Sequence, residues 1–246
     1  MLISAMVGID SRATMDIDTT LRNYALNCES AEQIVRQIAD VEIDDKISFV
    51  IKKTEEIMED SEYQGVRLSL DAYLDKTRIP LKIDISTGDV ITPCEISFSY
   101  QLMFENRTIP LLAYPPETVL AEKLETILSR GEANTRLRDF YDVYILQRED
   151  FVVTPDALCH ALLATCRKRG HEDLLHTYAS ILDRVRQSDT MRTQWMKYQT
   201  DFDYAAGITW DTVLDTVETL CMKTLDDHAF GDELPQEESQ FEMHLL

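Results

Sequence analysis

Two aspartates, Asp16 and Asp18, stand two residues apart in a short segment that is typical of a β-strand. In an extended chain, residues at this spacing project from the same face, so the two carboxylates lie side by side. Two like charges this close repel each other unless a cation lies between them, and hard divalent cations such as Mg²⁺ take oxygen ligands of this kind. A solvated acidic face on an edge strand is the plainer interpretation, and the pair alone leaves it open.

A third acid, Asp84, lies between Ile83 and Ile85 in an alternating run that predicts another strand. It points to the opposite side from the two isoleucines, and as a single residue it is best explained as solvent-facing. On a strand beside Asp16 and Asp18, it would complete three carboxylates around one or two metal ions. Two-metal phosphoryl transfer requires that arrangement.

Lys123 falls inside the apolar arc of the helix predicted at 117–130. A lysine there must extend its ammonium to the edge of the helix or meet an anion, either a phosphate or one of the acids. The next predicted helix, at 136–147, carries Asp139 and Asp142 three residues apart on one face. For those two acids the plainer interpretation is a solvated face with salt bridges.

The elements that must position these residues predict an α+β fold. An apolar helix at 1–9 precedes the strand of Asp16, and a helix with Ser30 as its N-cap follows it. A period of two from Ile47 to Ile85 indicates hairpin-linked strands in a mixed or antiparallel sheet. A strand or loop segment over 94–109 closes this half. Apolar residues then recur at helical spacing, which predicts helices at 117–130, 136–147, 155–168, 173–187, 190–200 and 210–224.

Composition narrows the classes of function. The net charge of −21 argues against broad electrostatic binding to nucleic acid. Residues 113–186 hold ten basic and twelve acidic side chains, a net of −2, and are the least repulsive place for a polyanion. The five cysteines, without Cys-x-x-Cys spacing, predict a reducing cytoplasm rather than a disulfide framework or zinc site. No apolar run approaches the ~18 residues of a membrane span.

Four segments, taken in order, resemble the AbiEii/AbiGii nucleotidyltransferase toxin family of bacterial abortive-infection and toxin–antitoxin systems. A lone Asp-x-Asp is a weak signal, whereas four segments in this order and spacing are specific. They are Arg12–Asp18, Lys82–Ser86, Glu117–Glu125 and Arg138–Tyr144.

The resemblance implies a polymerase-β-like nucleotidyltransferase core over 1–112, with a mixed sheet and flanking helices. A C-terminal helical domain that contributes to the site is expected over 113–230. An acidic tail is expected over 231–246.

The resemblance also implies roles for individual residues. Asp16 and Asp18 match the metal-binding pair of the family and Asp84 its third acid, so that Mg²⁺ would bridge the three carboxylates and the phosphates of an NTP. Asp84 would help to take the proton of the acceptor hydroxyl.

The expected nucleotide-binding residues are a second group. Thr14 matches a small hydroxyl position, Lys123 a phosphate-contacting lysine, and Asp139 the acid of the last motif. Arg12 matches a family arginine.

The implied activity is transfer of a nucleotide from an NTP onto an acceptor, in some relatives the 3′ end of tRNA. The implied setting is a cytoplasmic toxin of phage defence, held in check by a cognate antitoxin.

An alternative function follows from the start of the printed chain. The family carries a Gly-Gly or Gly-Ser turn just before the helix that begins here at Met1, and such turns bind phosphate through backbone N–H groups. A copy truncated at that turn would be a catalytically dead homologue that only binds a nucleotide or a protein. A glycosyltransferase using a nucleotide sugar is a third hypothesis, disfavoured because it needs a doubly wound parallel sheet.

Overall fold

The computed structural model describes residues 2–8, 16–43, 46–58, 64–102, 105–148 and 153–226. Within these residues the chain forms a four-stranded sheet, a separate two-stranded hairpin and eight α-helices. The N-terminal half contains α1 (Leu2–Val7), β1 (Asp16–Leu21), α2 (Cys28–Ala39), β2 (Ile47–Met58), β3 (Gln64–Leu74), β4 (Thr77–Thr87), β5 (Ile96–Gln101) and β6 (Thr108–Ala113). The C-terminal half contains α3 (Pro116–Arg130), α4 (Leu137–Leu146), α5 (Pro155–Arg169), α6 (Leu174–Gln187), α7 (Asp189–Asp201) and α8 (Trp210–Leu225).

The four-stranded sheet is mixed. Its strand order is β1-β4-β3-β2, with β1 parallel to β4 and the other two pairs antiparallel. The antiparallel pairs are successive hairpins, as the period-two runs predict. The parallel pair brings the strand of the first two aspartates directly beside the strand of the third.

One face of the sheet packs on α2. Apolar side chains that alternate along β3 and β4 form a small core with Ala31 and Val35 of this helix. The strand residues of this core are Val66, Leu68, Leu70 and Ile85. Because side chains alternate across a strand, the polar residues between them point to the other face. That second face carries the candidate site.

The predicted N-cap of α2, Ser30, is wrong. The helix begins at Cys28, and the Asn27 side chain accepts a hydrogen bond from the Ser30 N–H at 2.8 Å. The Ser30 hydroxyl in turn accepts from the Asn27 N–H at 3.0 Å. Ser30 is therefore the third helical residue of a capping box, because Asn27 has the extended backbone that a cap requires.

The helices of the C-terminal half share one large hydrophobic core. Ile3 and Val7 of α1 belong to this core, together with buried residues from α3 to α8. The apolar helix predicted at the start of the chain therefore packs with the helical region, although β1 follows it in the sequence. The domain boundary at residue 112 stays a prediction, and the acidic tail at 231–246 lies outside the described residues.

No helix in the part of the chain that the structure describes is long and apolar enough to cross a membrane.

Candidate functional site

The three predicted metal-binding acids lie on one face of the sheet. In the parallel pairing of β1 and β4, Asp18 is the direct partner of Asp84, and Asp16 is the partner of Lys82. Direct partners on neighbouring strands share a face, so the three carboxylates project away from α2. Their role as metal ligands stays a prediction.

Arg67 binds the third acid. It is the direct partner of Asp84 on β3, and its Nε and Nη2 donate to Asp84 Oδ1 and Oδ2 at 2.7 and 2.6 Å. This fork-to-fork geometry is the strongest form of arginine–carboxylate pairing. The hydrogen bonds that Arg67 donates to Asp84 raise the pKa of Arg67 well above its usual range, so the guanidinium stays charged.

The predicted nucleotide-binding lysine lies between two buried acids. Lys123 Nζ of α3 is 2.5 Å from Asp139 Oδ1 and 3.3 Å from Asp142 Oδ2 of α4. The Asp139 and Asp142 side chains are only 6% and 0% exposed. The solvated face expected for these acids is therefore wrong, because α4 turns both of them toward α3. The two alternatives for Lys123 were an ammonium extended to the edge of the helix and an ammonium paired with an anion. The structure shows the second, because the ammonium forms ion pairs with two carboxylates.

One oxygen of Asp139 remains unsatisfied. Its Oδ2 is buried and accepts no hydrogen bond from the residues that the structure describes. A buried carboxylate oxygen without a donor is costly, so the position of Asp139 depends on the charge of Lys123.

A hydroxyl cluster lies next to the acidic row, which is the set of carboxylates of Asp16, Asp18 and Asp84 on one face of the sheet. Asp89 Oδ2 accepts hydrogen bonds from Thr20, Ser86 and Tyr114 at 2.7, 2.6 and 2.9 Å. Burial and the neighbouring Asp89 charge raise the pKa of Tyr114, so its hydroxyl stays protonated and able to donate. Thr20 and Ser86 follow Asp18 and Asp84 by two residues, so this cluster fixes the ends of both strands on the same face.

Acidic and basic residues line one cavity of about 1160 Å³. Its walls come from both the sheet and the helical region, and they include Asp18, Asp84, Lys123 and Asp139. The end of α5 contributes a basic segment to the same walls, Arg167–His171. Asp16, which shares the face of Asp18, is not among the residues that line the cavity. Arg12 and Thr14, the remaining predicted site residues, lie outside the described residues.

A buried glutamate holds the basic segment in place. Glu125, two residues after the lysine on α3, is 2% exposed in its side chain, and its Oε1 is 2.7 Å from His171 Nδ1. Its Oε2 accepts a hydrogen bond from Arg169. Burial by itself would lower the pKa of Arg169, but the Glu125 carboxylate more than offsets it and the pKa is raised.

Sequence reasoning missed Arg67, Asp89 and Glu125. The signal for Arg67 was its place between the apolar residues of β3, which put it on the polar face. Glu125 gave no such signal, because at ~100° per residue it falls outside the apolar arc predicted for this helix. The signal for Arg67 does not show which residue it binds.

The site meets some of the requirements of a metal centre. Carboxylate oxygens on one face are the ligand type that a hard cation prefers. Within the described ranges, however, no group of three or more His, Cys, Asp or Glu side chains is gathered closely enough to hold a metal ion. Arg67 already engages both oxygens of Asp84, so a cation would have to share this carboxylate with it or displace it.

A mixed sheet carries a row of acids, and a half-buried lysine lines the same cavity. This arrangement fits the class of phosphoryl-transferring enzymes. The chain matches a family model over residues 1–216, described as nucleotidyl transferase AbiEii toxin, type IV toxin–antitoxin system. The chain belongs to this family and is a nucleotidyltransferase. The resemblance read from the four segments is thereby confirmed, as is the fold class of a mixed-sheet core followed by a helical region. A type IV toxin–antitoxin system implies an antitoxin as partner.

Two crystal structures from Helicobacter pylori are similar to this chain, one of a candidate nucleotidyltransferase and one of JHP933. Each covers 92% of this chain, with 95% and 91% of their own chains matched. Both are 13% identical with a TM-score of 0.38, which is too low to support an argument about activity. No curated protein matches the chain.

Proposed function

We propose that this enzyme is the toxin of an abortive-infection system and moves a nucleotide from an NTP onto an acceptor hydroxyl in the cytoplasm. The observation that carries the proposal is the cavity that Asp18, Asp84 and Lys123 line together. The acceptor oxygen would form a bond to the α-phosphorus, pyrophosphate would leave, and the hydroxyl proton would pass to a carboxylate.

The chain's own residues would bind and orient the NTP. Mg²⁺, held by Asp16, Asp18 and Asp84, would supply positive charge at the phosphates. Lys123 would contact the triphosphate as a point charge, with its ammonium held by Asp139. Arg12 and Thr14 stay proposed contributors to the same site.

Asp84 remains our proposed acceptor of the hydroxyl proton. Both of its oxygens accept hydrogen bonds from Arg67, which occupies one lone pair of each. The hydroxyl proton would therefore go to a remaining lone pair, or to an oxygen that Arg67 has released.

An RNA acceptor such as the 3′ end of tRNA is supported by the basic side of the cavity. Arg136 and Arg167 line it, and among the described residues neither side chain has a hydrogen-bond or ion-pair partner. Both lie in the part of the chain with a net charge of only −2. Two uncompensated arginines in a chain of net charge −21 favour contact with acceptor phosphates.

A second candidate function is binding without transfer. The observation that favours it is the Arg67–Asp84 ion pair, because Arg67 binds both oxygens of the third acid. In that case the protein would bind a nucleotide or its antitoxin and release no pyrophosphate.

The test is transfer of label from each α-labelled NTP to RNA in the presence of Mg²⁺, together with growth inhibition in cells. Asp18→Asn is expected to reduce the rate of transfer by a factor on the order of a hundred or more. Removal of a group that stabilises charge in the transition state typically has an effect of this size. Asp75→Asn is the matched control, because Asp75 is exposed in a turn with φ 51°, which asparagine also adopts.

Full transfer by Asp18→Asn, or a toxic Asp16→Ala variant, would refute the catalytic proposal. Absence of transfer from any NTP by the unmodified protein would leave the binding function.

A further inference from the structure

Arg67 lies beside the acidic row but outside the four segments that resemble the family. It stands on β3 between two carboxylates, because its direct strand partners are Asp84 on β4 and Glu55 on β2. With Asp18 on β1, these residues form one row across all four strands of the sheet. Direct partners share a face, so the whole row lies on the face of the sheet that carries the candidate site.

The present partner of Arg67 is Asp84. The two N–H groups of the fork point at both carboxylate oxygens, at 2.7 and 2.6 Å. This takes up a lone pair of each oxygen and places a permanent positive charge next to the acids. A divalent cation at Asp18 and Asp84 would compete for the same oxygens and would be repelled by the guanidinium.

Partial burial makes this competition significant. The Asp84 side chain is 19% exposed and the Arg67 side chain 36%. Charges at such positions are screened less by solvent and salt than charges on an open surface.

We propose that Arg67 is a positioning residue that competes with the divalent cation for Asp84. Without the cation, the guanidinium neutralises Asp84 and holds its carboxylate toward β3. When the cation binds, the guanidinium moves to Glu55, whose carboxylate is now 2.5 Å from Lys53 Nζ. Adjacent strands are about 4.8 Å apart, so rotation of the arginine side chain is sufficient to reach either neighbour.

This inference rests on the proposed function, because it presupposes a cation at the acidic row. It adds an order of events. Asp84 shares its oxygens with Arg67 until the cation binds, and both oxygens become fully available only after Arg67 has left. The site is therefore completed by the cation and is not assembled beforehand.

The experiment measures the dissociation constant of Mn²⁺ for the full chain and for its variants. The concentration of free Mn²⁺ is obtained from its paramagnetic resonance signal. Arg67→Ala and Arg67→Gln are expected to tighten Mn²⁺ binding about tenfold, since each removes a competing positive charge. Glu55→Gln is expected to weaken binding, since it removes the second partner of the guanidinium. Arg78→Ala is the matched control, because Arg78 lies on the same strand as Asp84 and only 3.7 Å from another carboxylate, Asp71.

Unchanged or weaker Mn²⁺ binding in both Arg67 variants would overturn the proposal, as would absence of binding in every variant. Where Arg67→Ala does not fold, Arg67→Gln decides, because glutamine keeps a hydrogen bond to Asp84. Where neither folds, Glu55→Gln decides, since unchanged affinity contradicts the exchange. If the enzyme transfers nucleotides but Arg67→Gln leaves its Mn²⁺ affinity unchanged, the proposed function stands and this inference is wrong.

Discussion

Replacement of Lys123 by methionine tests the charge balance between α3 and α4. Methionine keeps an unbranched apolar side chain and removes the ammonium. Asp139 and Asp142, 6% and 0% exposed, would lose the cation that lies at 2.5 and 3.3 Å. Removal of one partner from a buried ion pair costs about 3–5 kcal/mol. Because the Lys123 side chain is 24% exposed and partly screened, we expect the lower end, about 3 kcal/mol.

The assay is urea unfolding near neutral pH, followed by the fluorescence of Trp195 and Trp210, which are both buried in the helical core. Lys197→Met on α7 is the matched control. Lys197 is exposed and has no ion-pair partner among the described residues, so we expect a change within about 0.5 kcal/mol.

A compensating variant separates charge from packing. In Lys123→Met with Asp142→Asn, one buried negative charge is gone, and we expect recovery of at least about 1 kcal/mol relative to Lys123→Met. The reasoning is refuted if Lys123→Met unfolds at the same urea concentration as the unmodified protein, or if the double variant is the less stable of the two.

Three further predictions concern the cysteines and a buried glutamate. In the native protein near pH 8, below the ordinary thiol pKa, Cys94 is exposed and is expected to react fastest with a disulfide reagent. Three other thiols should react only after unfolding, because burial raises their pKa from 9.0 to about 11, 12 and 12 for Cys159, Cys166 and Cys221. Because these three thiols ionise at lower pH in the unfolded chain than in the folded protein, their contribution to the free energy of unfolding is fully present below pH 9.0 and is lost between about pH 9 and 12. A urea midpoint that does not change over this pH range would contradict the prediction. Glu125→Leu removes the carboxylate beside Arg169 and is expected to lower the free energy of unfolding by about 3 kcal/mol. Glu132 is exposed, so the control Glu132→Leu is expected to change it little. Equal thermal midpoints for the two variants would show that the Arg169–Glu125 ion pair does not contribute to stability.

The elements of the fold could be predicted from the sequence because each has a local pattern. Alternation predicted β2, β3 and β4, and helical spacing predicted α3 to α8 with small errors at their ends. The cap of α2 shows the limit of local patterns. Asn27 and Ser30 are both good cap residues three positions apart, and only the backbone geometry shows which of them lies outside the helix.

The partners of the charged residues could not be predicted, because they depend on strand register and helix packing. Asp84 was visible as a polar residue on an apolar strand, but Arg67 faces it only through the register of β3 against β4. Asp139 and Asp142 have the spacing of a solvent-exposed pair, and they are buried because α3 supplies Lys123 at the point where the two helices meet.

The placement of α1 links the two halves of the molecule mechanically. Ile3 and Val7 are anchored among the C-terminal helices, while the chain proceeds from them to the outer strand that carries Asp16 and Asp18. A fragment beginning at α3 would therefore lack part of its own interior. The carboxylates of this strand and Lys123 are therefore connected through the covalent chain as well as across the cavity.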